Sequence, residues 1–73
     1  MKIKKGDFVK LRNGKIYEVI FEGDTIPYVT CKPQNDRFDN VSIYNTGEFL
    51  KEQKSEFDAI EVMTEDTHPE YFI

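Results

Sequence analysis

An all-β domain, a small barrel or strongly bent sheet of five or six short antiparallel strands, is the fold that this 73-residue chain predicts. Composition is the first reason. Seven Ile and five Val stand against two Leu and one Ala, with five Thr and ten aromatic residues beside them. β-Branched and aromatic side chains suit a pleated, half-buried surface, whereas a helical domain of this size leans on Leu and Ala. The second reason is spacing: apolar residues come in short runs divided by Gly, Asn, Asp and Pro. The third is that a helix over 48–63 would leave a polar gap between Leu50 and Phe57.

Residues 6–11 read as the first strand, with Val9 and Leu11 on one face and Phe8 and Lys10 on the other. Asn13-Gly14 predicts a type I′ hairpin turn, because both residues tolerate positive φ. Residues 16–21 form the return strand, so a hairpin spans 7–21. Tyr28-Val29-Thr30-Cys31-Lys32 is a third strand, with Pro27 ahead of it where no ladder donor is needed. Residues 33–37 read as a polar loop and Val41-Ser42-Ile43-Tyr44 as a fourth strand. Asn45-Thr46-Gly47 is a turn into Glu48-Phe49-Leu50-Lys51, and 52–55 has the polarity of a short helical turn. Residues 57–63 close the domain, with Ile60 and Val62 expected to point inward. The organisation is thus a barrel over 1–63 and an acidic, aromatic tail over 64–73.

Several classes are disfavoured. With 38% hydrophobic and 33% charged residues the chain is an ordinary globular domain, and no apolar run nears the roughly 18 residues of a membrane helix. The basic opening lacks the apolar stretch of a signal peptide, and the single Cys31 cannot form an internal disulfide. A cytoplasmic location is the expectation, with no membrane partner. A core this small supplies only about 3–5 kcal/mol of net stability, which makes self-association an expectation too.

Charge is polarised. Residues 1–19 carry a balance of +4 and residues 48–73 a balance of -6, within a net charge of -4.

The run Lys5-Gly6-Asp7-Phe8-Val9-Lys10-Leu11-Arg12-Asn13-Gly14-Lys15-Ile16 resembles the opening of SH3-like and KOW-like small barrels. Together with Tyr44-Asn45-Thr46-Gly47 and Asp58-Ala59-Ile60-Glu61-Val62, it resembles a pattern found in short phage and prophage proteins. The resemblance covers about residues 2–63. It implies an SH3-like barrel and an origin in a mobile element, where proteins of this size often act by binding a host protein. It carries no shared activity onto particular residues.

Catalysis finds little support. His68 lies in the tail and Cys31 in a strand, with no third group to orient a nucleophile pair. Metal-ligand spacings are missing, and Gly6, Gly14, Gly23 and Gly47 are scattered rather than clustered as a phosphate cradle. No enzyme activity and no cofactor are expected. Protein binding is the leading expectation: Glu48, Glu52, Glu56, Asp58, Glu61, Glu65, Asp66 and Glu70 would present an acidic surface, and Tyr71-Phe72-Ile73 an apolar one. The tail can instead pack back on its own barrel. The alternative is nucleic acid, held by Lys10, Arg12 and Lys15 with Tyr17, Tyr28 and Tyr44 as stacking platforms and Arg37 from the loop. A nucleotide held at a subunit boundary by Arg12, Arg37 and a tyrosine pair is a variant of it. The acidic net charge argues against both.

Overall fold

The computed structural model describes residues 2–34 and 39–72. Five strands, β1 (Phe8–Leu11), β2 (Ile16–Glu22), β3 (Tyr28–Pro33), β4 (Val41–Tyr44) and β5 (Ala59–Met63), form one antiparallel sheet in the order β4-β3-β2-β1-β5. A 3-10 turn over Pro69–Phe72 ends the described chain. The sheet curls into a half-barrel. Its two edges are bridged beyond β4, where Ala59 N donates to Gly47 O at 2.8 Å and Phe49 N to Asp58 Oδ1 at 3.0 Å. Ile3 closes the floor, donating its N–H to Asn45 O at 2.8 Å while its side chain is fully buried.

Alternation explains the core. Val9, Leu11, Tyr17, Val19, Val29, Cys31 and Ile43 face inward with Ile3, and Val41, Phe49, Phe57, Ala59 and Val62 pack around them. Cross-strand partners share a face, and the register Val9↔Tyr17, Val19↔Cys31 and Val29↔Ile43 lines these residues up across four strands.

Two bulges break the alternation. Between the pairs Val19↔Cys31 and Phe21↔Thr30, β2 spends an extra residue, Ile20. Between Lys10↔Glu61 and Leu11↔Ala59, β5 spends Ile60. Each bulge inverts the facing of the residues beyond it on its strand. Without the first, Phe21 would join Tyr17 and Val19 in the core; instead it is 51% exposed on the outer face. The second corrects an expectation: Val62 packs against the core as predicted, but Ile60 is the bulged residue and is 46% exposed.

The first hairpin forms over 7–21, with a different turn from the one predicted. Gly14 alone in it has positive φ (87°), and Gly14 N donates to Leu11 O at 2.9 Å. A three-residue loop ending in a left-handed glycine replaces the two-residue type I′ turn. Its N–H groups are spoken for: Arg12 N donates to Asp58 O at 2.7 Å and Asn13 N to Glu56 O at 2.8 Å. The 50–55 segment is a turn around the Leu50↔Gln53 bridge, with Glu52 at φ 61°, rather than the short helical turn expected over 52–55. Pro33 belongs to β3, opposite Tyr17, rather than to the polar loop expected over 33–37, of which 35–37 lie outside the described residues.

Candidate functional site

The outer face of the sheet falls into two halves. On the β1–β5 half, Phe8 and Met63 are cross-strand partners. The 3-10 turn folds over them: the Phe8 ring centroid is 5.6 Å from that of Tyr71 and 5.2 Å from that of Phe72. Met63 is buried there although it lies on the outer face. The turn is anchored by Thr64 N donating to Thr67 Oγ1 at 3.0 Å and by His68 Nε2, 3.3 Å from Glu61 Oε2. Tyr71 and Phe72, expected to face a partner, are therefore committed to their own barrel; Ile73 lies outside the described residues.

The β2–β4 half has no such cover among the described residues. The pairs Phe21↔Thr30, Thr30↔Ser42 and Tyr28↔Tyr44 share this face. Tyr28 and Tyr44 stack at 4.9 Å between centroids, and Lys51 Nζ sits 4.8 Å over the Tyr44 ring. Hydrogen bonding to Tyr28, then burial and the charges around it, raise the Tyr44 phenol above the ordinary tyrosine range. Ile20, Phe21 and Tyr28 are exposed, as is Ile26 at the tip of the β2–β3 loop. That loop closes tightly because Gly23 has no side chain; a Cβ there would sit 2.8 Å from the Ile26 carbonyl oxygen.

The residues expected to hold nucleic acid are dispersed. Tyr17 is 3% exposed, because it faces inward opposite Val9 and Pro33, and its buried ring cannot stack on a base. Arg12 is tied to the barrel, with Nε donating to Ser55 O at 3.2 Å and Nη2 3.5 Å from Asp58 Oδ2. Lys10 lies on the outer face opposite Glu61, and Lys15 comes directly after the first turn. Tyr28 and Tyr44 sit at the other end of the sheet, roughly 20 Å away at about 3.3 Å per strand residue. Arg37 lies outside the described residues.

The acidic residues are likewise divided. Asp58, expected on a partner-binding surface, is buried: it accepts from Phe49 N at 3.0 Å and Ser55 N at 2.9 Å and faces Arg12. The Phe49 bond, aided by Ser55 and Arg12, holds its carboxyl below the usual range against the opposing effect of burial. Glu61 pairs with His68 on β5. Glu48 accepts from Thr46 Oγ1 at 2.8 Å and lies 3.9 Å from Lys51, and Glu52 is exposed on the next turn. Cys31 is buried, which pushes its thiol up to about 12 and leaves it protonated at neutral pH.

A cleft of about 370 Å³ opens at the mouth of the barrel beside the first turn. Tyr17, Val41 and Phe57 line it, with Asn13, Lys15, Asp39, Asn40 and Glu56. No motif in the sequence marks this group, since its members come from three separate segments. Among the described residues no group of three or more His, Cys, Asp or Glu is placed to hold a metal ion, and no helix is long and apolar enough to cross a membrane.

No protein-family model, no curated protein and no solved structure matches this chain.

Proposed function

We propose that the protein is a non-catalytic binding module whose working surface is the outer face of β2, β3 and β4, and that its partner is a protein. The carrying observation is the bulge at Ile20, which turns Phe21 out of the core beside the exposed Tyr28. The bulge bends the strand as a curled sheet needs, but it also leaves a large apolar side chain facing water, and exposed apolar surface can mark association sites. The chain covers Phe8 and Met63 with its own tail, so the aromatic side chains across the sheet stand out by contrast. The phage-protein resemblance fits a host protein in the bacterial cytoplasm as the partner, bound or inhibited by this module.

The nucleic-acid reading keeps one supporting observation, the Tyr28–Tyr44 pair with Lys51 above it. Within one chain the basic hairpin lies at the other end of the sheet from this pair, and Arg12 is engaged by Ser55 and Asp58. A photoreactive phenylalanine analogue placed at position 21 separates the readings. Crosslinking in a bacterial lysate to one protein of defined mass, absent when the analogue replaces the exposed Glu65 ahead of the tail turn, supports the proposal. Crosslinks to RNA or DNA alone refute it.

A further inference from the structure

We infer that the mouth of the barrel binds a single organic cation, an alkylguanidinium or alkylammonium group, with the Tyr17 hydroxyl and the Asp39 and Glu56 carboxylates as acceptors and the Phe57 ring as its wall. These residues are not those of the outer face, so the cation site stands whether or not that face binds a protein.

Tyr17 is the central residue. Its ring is core, 97% removed from solvent, and phenylalanine would fill that space equally well. Yet its hydroxyl has no hydrogen-bond partner among the described residues, where no side-chain oxygen or nitrogen sealed from solvent lacks a partner. The hydroxyl is therefore the part of Tyr17 that reaches the cleft it lines. A phenol held rigidly by a core, with its oxygen presented to a concave site, is a preformed polar contact.

The charge of the cleft selects the ligand. Among the described residues two acids, Asp39 and Glu56, line it against one basic residue, Lys15. Such a rim repels phosphates and carboxylates and attracts a cation. Phe57 and Val41 supply apolar wall for an alkyl stem, and an aromatic face adds attraction for a cationic head. The wall is itself braced: the Phe57 ring stacks on Phe49 at 5.1 Å, and Phe57 N donates to Ser55 Oγ at 3.2 Å. A volume of about 370 Å³ is that of a small-ligand pocket and fits one such group.

The test is an amide-resolved NMR titration of the whole chain with agmatine, with N-acetyl-arginine amide and with inorganic phosphate. Either guanidinium compound should produce saturable shifts centred on Asn13, Asn40 and Phe57. Tighter binding of agmatine identifies a free amine as the ligand source, and tighter binding of the capped arginine identifies a partner's side chain. Glu56→Gln should weaken binding about tenfold, as the loss of one charge-assisted contact does. Tyr17→Phe should weaken it several-fold with an unchanged melting temperature, since no described residue hydrogen-bonds the hydroxyl. Three results would overturn the inference: no saturable shift at tens of millimolar, phosphate moving the same signals, or both variants binding like the parent.

Discussion

Removing the Asp58 carboxylate should cost this protein a large share of its stability. One side chain holds the 49–58 loop, accepting from Phe49 N and Ser55 N, and anchors the first hairpin through Arg12. Hydrogen bonds to a charged group contribute about 1.5–3 kcal/mol each, and the three contacts are not additive because they share one carboxylate. Its side chain is 12% exposed, so water reaches the orphaned N–H groups only in part. A loss of about 3 kcal/mol is expected for Asp58→Ala and about 1–2 kcal/mol for Asp58→Asn, which keeps one acceptor. Against a total of roughly 3–5 kcal/mol for a core of this size, the alanine variant should melt more than about 10 °C lower. Urea unfolding monitored by circular dichroism at pH 7 measures it. The folded-state pKa of Asp58 is lowered, so its contribution is fully present above about pH 4 and fades as pH falls through the folded value. The gap between parent and Asp58→Ala should therefore narrow only below about pH 4. An alanine variant within about 0.5 kcal/mol of the parent would refute the reasoning.

Three further outcomes are expected. Phe72→Ala should destabilise by about 1–2 kcal/mol, about half the usual cost of a buried phenylalanine, because Phe72 is half-buried against Phe8; an unchanged urea midpoint would mean that the tail does not cover the sheet. Gly14→Ala should cost about 1 kcal/mol purely from backbone conformation, since φ is 87° and no atom lies within 4 Å of the added methyl; a neutral result by thermal melting would contradict the left-handed turn. Cys31 should resist iodoacetamide at pH 8 in the folded protein and react once urea unfolds it, because burial holds the thiol protonated; complete labelling of the native state within minutes would refute that placement.

The strands were legible because alternation and turn chemistry are local. Val41–Tyr44 falls where its apolar pattern places it, and Val9 and Leu11 share the inner face while Phe8 and Lys10 share the outer. The bulges were not legible. Ile20 and Ile60 look like their neighbours in sequence, and only the register against β3 and β1 marks them as extra. The consequence reaches the candidate sites: Phe21 and Ile60 come out to solvent, although Ile60 is expected inside on alternation alone. Tyr17 departs from expectation for another reason. A tyrosine is amphipathic, and its alternation with Val19, rather than its hydroxyl, decides where its ring goes. Asp58 looks like one acid among eight in the last third of the chain; the N–H groups that it serves come from Phe49 and Ser55, a turn that acidic composition does not reveal.

The most direct test of the binding role is native mass spectrometry of the tagged protein purified gently from a bacterial lysate. Phe21→Ser/Tyr28→Ser is compared with the parent and with Lys10→Glu/Lys15→Glu. Extra mass from one protein is expected on the parent and on the lysine variant, and its loss from the Phe21/Tyr28 variant. That variant should still fold because Phe21 is 51% exposed and Tyr28 40%, and only the Tyr44 ring contact is given up. A bound oligonucleotide that disappears with the lysine variant, or a bound protein indifferent to Phe21 and Tyr28, would contradict that role.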